Sequence, residues 1–516
     1  MSPGVGTVAG LLAHAAREHA ARPALVLPGG ETWDWARLGA QVDALAAWLL
    51  DAGALPGERV LVHLPRGVEE ALLVLACLRV GAVLVDVHPQ SPLERLAAVL
   101  ADVAPALVVT HARRARELAA SGPVRLVVVG PGAPPGALRW PQELPAPARP
   151  LPEPGPDDLA LLLTTSGSTG APKGVMHSQR NLHRFARGVA DYLGLGPEDR
   201  VLGLLPLSFG YGLNQLLTAP AAGHAWVLPR GALAADLLRS LREERPSVLA
   251  GVASVWSSLL PLLEGQAGPP PPLRLLTHAG GELPLPLAAR LRAALPEAAL
   301  VHMYGTTETL RSTWLPPDEW ARHSGALGRA VPGATVEVVA EDGARACAPD
   351  EVGELVHAGA HLFQGYWNDP ALTAARRRPC PALGGATAFF TGDLARRDAE
   401  GRLWFVSRAA WMLKSAGFRF AAGEVEAGLR ATGMIREAVV LGVPDPQRGQ
   451  VVLAVVTPPV GAAAVDLEAL EAAAAVRLPS YMLPARWHVW SGELPHTPNG
   501  KLDRLALRAA VGEGDA

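Results

Sequence analysis

The sequence predicts a multidomain α/β protein, on three observations. With 516 residues and 49% hydrophobic content, the chain can bury a large core but is too long for one ordinary domain, so about two to four domains or subdomains are expected. Short apolar runs alternate with longer helical patterns over most of its length, which is the signature of parallel β-α-β units. After about Gly325 the runs become shorter and are separated by Gly and Asp turns, and from Gly423 the alternation returns.

In chain order, Ala24–Leu27 reads as a strand and Trp35–Ala52 as a helix. Arg59–Leu64, Ala82–Val87 and Ala106–Thr110 read as strands, separated by helices at Val68–Arg79 and Pro92–Val103. Pro-rich stretches at Pro131–Pro135, Pro141–Pro156 and Pro269–Pro272 read as surface connections. Thr335–Val339, Gly353–Ala358 and Leu403–Val406 suggest a smaller, more antiparallel β subdomain. Glu424–Ala431 and Asp466–Val476 (helical) with Glu437–Val443 and Gln450–Val456 (strands) suggest a small α+β domain at the C-terminal end. Heavy use of Ala weakens periodicity, because Ala sits on any face.

Lys plus Arg is 46 and Asp plus Glu is 49. No basic block or stripe is present, so no nucleic-acid partner is expected. Arg17, Glu18 and Arg22 interrupt the early apolar stretch, which does not read as a signal peptide. The apolar run Ala71–Leu78 stops at Arg79, short of the ~18–20 residues of a membrane span. Cys77, Cys347 and Cys380 have neither metal spacing nor the number for a disulfide framework. A cytoplasmic protein with no membrane span is expected.

The strongest local signal is Thr164-Thr165-Ser166-Gly167-Ser168-Thr169-Gly170-Ala171-Pro172-Lys173-Gly174, directly after the apolar strand Leu159–Leu163. Small and hydroxyl residues let several backbone N–H groups converge on an anion, and Lys173 adds positive charge. The spacing is not that of a Walker loop, because Gly174 follows Lys173 and the glycines are misplaced. A flanking strand and a lysine at this spacing distinguish the segment from a flexible linker.

This segment resembles the phosphate-binding loop of the acyl-adenylate-forming superfamily, which includes acyl- and aryl-CoA synthetases, peptide-synthetase adenylation domains and luciferases. The resemblance continues in order through Leu205-Pro206-Leu207-Ser208-Phe209-Gly210-Tyr211-Gly212, Thr277-His278-Ala279-Gly280-Gly281-Glu282-Leu283, Met303-Tyr304-Gly305-Thr306-Thr307-Glu308, Gly365-Tyr366-Trp367, Thr391-Gly392-Asp393-Leu394, and Pro498-Asn499-Gly500-Lys501. It implies a large N-terminal domain, residues 1–408, of two β-α-β subdomains plus a small β subdomain. A small mobile α+β C-terminal domain, residues 409–516, would follow.

The resemblance also implies site residues. Thr165, Ser166, Gly167, Ser168, Thr169, Gly170 and Lys173 would hold phosphates, while Gly280, Gly281 and Glu282 would lie beside adenine. Tyr304 would stack on that base with Gly305 and Thr306 adjacent, Thr307 would contact phosphate, and Glu308 would hold Mg²⁺. A flat ring suits a purine face, and a hard carboxylate oxygen suits magnesium. Asp393 would accept from the ribose hydroxyls, and Arg408 would contact ribose or phosphate. Phe209, Gly210 and Ala279 would line the acyl pocket. Lys501 would be the catalytic lysine of the first half-reaction. Lys414, in Leu413-Lys414-Ser415-Ala416-Gly417, would serve the second at the thiol channel.

Two departures from the family pattern stand out. The usual hinge Gly-Arg-x-Asp is here Ser407-Arg408-Ala409-Ala410, and Ala422 replaces a usual Pro. Relatives that activate amino acids often carry Phe-Asp where this chain has Phe209-Gly210, the Asp pairing with the substrate ammonium. The expected substrate is therefore an aryl, alkyl or hydroxy acid without an α-amino group. The expected activity is ATP- and Mg²⁺-dependent formation of acyl-AMP, followed by transfer to CoA by a free-standing acyl-CoA synthetase. An alternative is loading of a carrier-protein phosphopantetheine. With no carrier domain after Lys501, that acyl carrier protein would be a separate partner. A third reading is a catalytically weak binding or regulatory homologue, which rests on the hinge alone.

Overall fold

The computed structural model describes residues 6–121, 124–166, 172–231, 233–265, 269–408, 411–415, 418–445, 449–462, 464–497 and 502–512. The chain divides into two compact units. One comprises Met1–Val336, His357–Pro379 and Gly385–Phe389. The other comprises Glu337–Val356, Cys380–Gly384 and Phe390–Ala516.

The first unit contains two sheets of related topology. In one, the parallel strands run in the order Val83–Asp86, Arg59–His63, Leu107–His111, Leu126–Val129. In the other they run Ala225–Val227, Arg200–Leu202, Val248–Gly251, Leu275–His278, Ala299–Tyr304. Each sheet therefore places its second strand on one side of the first and the later strands on the other. That doubly wound order opens a crevice at the carboxyl ends of the strands. Val- and Leu-rich strands such as Val60–Val62 and Val83–Val85 are buried on both faces, as a parallel sheet covered by helices requires. The Val68–Val80 helix is apolar nearly all round and correspondingly buried.

Two features depart from the sequence expectation. The strand Pro23–Val26, next in sequence to the first sheet, pairs with Ala225–Val227 of the second. The strand that precedes the glycine-rich loop runs on through Ser166 and forms an antiparallel hairpin with Pro172–Ser178. Thr164, Thr165 and Ser166 are therefore strand residues.

In the second unit, residues 337–339, 353–356, 390–397 and 403–408 belong to neighbouring strands in that order. A separate three-stranded sheet holds Glu437–Asp445, Gly449–Thr457 and Arg486–Val489. One of its faces packs with Val425, Leu429 and Leu470 of the helices Ala422–Arg430 and Leu467–Ala475. The other packs with Leu494, Leu507 and Val511. Glu426 is a buried hub of this unit. Its Oε1 accepts from the Val440 N–H at 2.8 Å and pairs with Arg504 Nη2 at 2.5 Å, with side-chain exposures of 8% and 13%. Among the described residues, no helix is long and apolar enough to cross a membrane.

The first unit buries His63, His177, His224, His278, His302 and His357. Burial holds the first three and His302 down near about 4, and His278 and His357 near about 3, against an ordinary value of 6.5. Below the ordinary value the unfolded chain takes up protons that the folded chain refuses. Stability is therefore complete above the ordinary value and lost as pH falls toward about 4, by up to about 1.4 kcal/mol per pH unit for each histidine. Urea unfolding at about pH 7.5, 6 and 5 is expected to show a steep fall; a flat profile contradicts neutral burial. Glu426→Ala strands a buried arginine, and is expected to cost about 3–5 kcal/mol in denaturant unfolding. A loss below about 1 kcal/mol would mean the pair behaves like a surface contact.

Candidate active site

In the first unit, the expected nucleotide residues sit where strands of the second sheet end. Leu275–His278 runs out into Ala279-Gly280-Gly281-Glu282, and Ala299–Tyr304 runs out into Gly305-Thr306-Thr307-Glu308. Gly280 adopts φ +90°, which a side chain rarely tolerates. Gly281 and Glu282 are exposed, whereas Ala279 is buried among Tyr211, Val252 and Met303. His278 Nδ1 accepts from Trp256 Nε1 at 3.0 Å, which leaves Nε2 as the protonated nitrogen. Nε2 then donates to the Gly281 carbonyl at 3.0 Å. A tryptophan and a neutral histidine thus pin the glycine turn from beneath.

The Tyr304–Glu308 turn is built more tightly. A Cβ on Gly305 would lie 2.7 Å from the Leu310 carbonyl oxygen and 2.8 Å from Arg311 Cα, so the close return of the chain requires glycine here. The Leu310 N–H donates to the Thr306 carbonyl at 2.8 Å, and the Ser312 N–H to the Tyr304 carbonyl at 2.9 Å. The hydroxyls of Thr306, Thr309 and Ser312 form a chain that His357 Nδ1 reaches at 3.0 Å from Ser312 Oγ. Tyr304 itself is half-buried.

The hairpin brings a second set of groups to this turn. His177, on its second strand, lies with Nε2 2.9 Å from the Thr307 carbonyl. Gly365–Tyr366 pairs antiparallel with the same strand, placing Tyr366 opposite Val175. From there the Tyr366 hydroxyl donates to Glu308 Oε1 at 2.7 Å. Burial and the Glu308 carboxylate both push the Tyr366 phenol up, so it remains a proton donor. Thr165 faces Lys173 across the hairpin. The side chains of Thr165 and Ser166, and all of Gly167, Ser168, Thr169 and Gly170, lie outside the described residues.

Of the acyl-pocket candidates, Phe209 and Gly210 stand at the start of the helix Gly210–Ala222, where Phe209 makes no side-chain capping hydrogen bond. The Phe209 and Tyr211 rings meet edge-on with centroids 6.3 Å apart. Tyr211 Oη lies 2.6 Å from Thr277 Oγ1.

In the second unit, Asp393 and Arg408 face each other across neighbouring strands. Arg408 Nε lies 2.9 Å from Asp393 Oδ1, with Asp393 buried and Arg408 half exposed. The Thr391 hydroxyl accepts from the Asp393 N–H and donates to the Leu355 carbonyl. Arg408 and Arg504 both lie over the Trp411 ring, at 5.6 and 4.7 Å. The Lys414 backbone lies on a strand opposite Arg419; its side chain is outside the described residues, as is the whole of Lys501. The chain on either side of Lys501 is pinned by a bridge between His496 and Leu502, and by the Asp503 N–H donating to the Pro495 carbonyl at 2.8 Å.

Four residues with positions at this site had no individual role in the sequence reading: His177, Trp256, Arg311 and Tyr366. Tyr366 lay within a matched motif; the others carried no local signal, because each contacts a group distant in sequence: His177 the Thr307 carbonyl, Trp256 the His278 ring and Arg311 the Tyr211 ring. No group of three or more metal-ligating side chains is found among the described residues. A lone carboxylate beside threonine hydroxyls suits a Mg²⁺ that arrives on a triphosphate and keeps its own waters, rather than a resident ion.

With this geometry in hand, comparison with known proteins is informative. The AMP-binding enzyme family matches residues 12–367, and the AMP-binding enzyme C-terminal domain matches residues 424–501. L-proline–[L-prolyl-carrier protein] ligase of Streptomyces coelicolor is 32% identical, over 99% of this chain and 98% of that protein. Sulfoacetate–CoA ligase of Cupriavidus necator is 33% identical, over 97% of each. A Salinispora arenicola nonribosomal peptide synthetase is 34% identical over 97% of this chain, which spans 6% of that protein. ATP-bound MatB from Rhodopseudomonas palustris superposes with a TM-score of 0.84 at 25% identity, over 98% of this chain and 100% of that one. The o-succinylbenzoate CoA synthetase MenE from Bacillus subtilis, in complex with an acyl-adenylate intermediate, gives 0.83 at 25% identity, over 96% and 97%. The chain belongs to the AMP-binding enzyme family: it is an ATP-dependent, acyl-adenylate-forming ligase of α/β fold, with a large N-terminal and a small C-terminal domain.

Tyr366→Phe keeps the ring packed on Phe363 and removes one donor from Glu308. It is expected to cost about 1.5–3 kcal/mol, the range for a hydrogen bond to a charged group, read by denaturant unfolding. It is also expected to raise the Mg²⁺ concentration needed for half-maximal ATP–pyrophosphate exchange. No change in either measurement contradicts a working Tyr366–Glu308 contact.

Proposed function

We propose that this ligase activates a carboxylic acid without an α-amino group, an aryl, alkyl or hydroxy acid, and passes the acyl group to the thiol of CoA. The observation that carries the substrate reading is Gly210. A Cβ there would meet Leu310 Cδ2 at 3.2 Å and Leu163 Cδ1 at 3.4 Å. The position that would supply a countercharge to an ammonium is instead bare backbone against two leucines, and a buried ammonium without a partner is costly.

In this reading the substrate carboxylate oxygen attacks the α-phosphorus of ATP, and the bond to pyrophosphate breaks. Thr165–Thr169, Lys173 and Thr307 hold the phosphates. Tyr304 and the Gly280–Glu282 turn hold adenine, and Asp393 and Arg408 hold the ribose side. Magnesium, held by Glu308, would neutralise phosphate charge. Lys501 stabilises charge as the carboxylate approaches, so positioning and electrostatics do most of the work. The thiol sulfur then attacks the acyl carbon, and AMP leaves. We further propose that residues 1–408 and 409–516 are the domains that rearrange between the steps. Lys501 would serve the first step, and Lys414 the second.

A second reading is transfer to the phosphopantetheine of a separate carrier protein. The nearly full-length similarity to a prolyl-carrier-protein ligase favours it, and both acceptors end in the same thiol. ATP–pyrophosphate exchange across matched acids is expected to favour the des-amino member of each pair by about 100-fold or more. Exchange confined to α-amino acids would overturn the substrate reading. Lys501→Ala is expected to lower exchange by about 100- to 1,000-fold. Thioester formation with CoA against a holo-carrier decides the acceptor.

A further inference from the structure

Arg311 is only 2% exposed, and its inward course is set by the backbone. Leu310 adopts φ +56°, a strained conformation for a residue with a side chain, and the Arg311 N–H turns back to the Thr309 carbonyl at 2.5 Å. Two consecutive side chains therefore face inward. Leu310 reaches toward Gly210, and the Arg311 guanidinium lies over the Tyr211 ring, 4.9 Å from its centroid.

Tyr211, Tyr192 and His302 lie within reach of its charge, and Thr277, Met303 and Trp314 contact the two tyrosines in turn. The Tyr192 hydroxyl donates to Met303 Sδ at 3.0 Å, and Tyr192 packs on Trp314 with centroids 4.9 Å apart. Burial pushes the Tyr192 phenol up to about 12 and the Tyr211 phenol higher still, against the opposing pull of Arg311. Both remain neutral, so neither serves as a counter-anion. Arg311 Nε and Nη2 have no hydrogen-bond partner among the described residues. Among the other arginines with little exposure, Arg504 pairs with Glu426 and Arg402 with Asp398, whereas Arg66 Nε, like Arg311, has no hydrogen-bond partner among the described residues. A ring contact offsets only part of the cost of burying a cation.

We propose that the acid activated by this enzyme carries a second anionic group, which pairs with the Arg311 guanidinium while the reacting carboxylate faces ATP. The class is a dicarboxylate, or a carboxylate bearing a sulfonate or phosphonate. The proposal deepens the reading given under Proposed function and rests on it, since it takes the Phe209–Tyr211 segment as the acyl pocket. The planar fork of the guanidinium matches such a group, which would satisfy the nitrogens left open.

The test uses the full-length protein and aliphatic and aromatic diacids, each matched with its monomethyl ester. With wild type, exchange is expected to favour the diacid over its ester by about 10- to 100-fold in kcat/KM, the range for a hydrogen-bonded charged partner. Arg311→Met is expected to abolish that preference, read as the ratio of diacid to ester within the variant, and Arg311→Lys to restore part of it. The wild-type ratio alone is decisive should a variant fail to fold. Equal use of acid and ester, a preference for the ester, or a ratio unchanged in Arg311→Met overturns the proposal. If monoacids exchange while every diacid fails, only this proposal falls. If calorimetry detects no ATP binding by the wild type, the adenylation reading falls with it.

Discussion

Two side chains hold the Thr306–Glu308 turn from outside, His177 at the Thr307 carbonyl and Tyr366 at the Glu308 carboxylate, beside the Phe363 N–H that donates to the Glu308 carbonyl. Both come from one place, the antiparallel hairpin and the Gly365–Tyr366 strand added to its edge. The expected phosphate loop and the expected metal carboxylate therefore share a scaffold. A side chain that holds a metal-bearing triphosphate is useful only if its rotamer is fixed beforehand, because positioning supplies most of the catalysis in such reactions. Neither bond is local in sequence: the Tyr366–Glu308 contact spans 58 positions and the His177–Thr307 contact 130.

Charge is handled differently at different depths. Deep in the second unit, Glu426 and Arg504 satisfy each other and the Val440 amide, which secures the chain that follows Lys501. Asp393 is buried but its partner Arg408 is half exposed, so that pair can trade partners at modest cost. The buried histidines of the first unit are kept neutral by burial, and His177 and His278 hold turns by hydrogen bonds. Arg311 is a buried guanidinium over the neutral Tyr211 ring, and together with Gly210 it carries the proposed chemistry of the acid.

By the family resemblance, Ala410, which lies outside the described residues, stands where a hinge Asp is usual. Alanine leaves the backbone free to turn but removes a side chain that could favour one rotational state. On the proposed domain rotation, partition between the two half-reactions then depends on ligand contacts more than on the hinge itself.

The period of the apolar residues determined much by itself. The alternation of Val-rich runs with longer amphipathic stretches specified the strands at 59–63, 83–86 and 107–111 and the helices between them, because burial on a sheet and on a helix face impose different repeats. Motif order was legible for the same reason: glycine turns and hydroxyl-rich loops at strand ends are local features. Partner choice was not. That Pro23–Val26 joins the second sheet, that Thr164–Ser166 continue a strand, and that Tyr366 meets Glu308 are decided by which surfaces meet once the chain has packed, and no local pattern encodes them. Arg311 makes the point most sharply: nothing local in the sequence singles it out, and only the left-handed turn at Leu310 and the walls around it turn that charge inward.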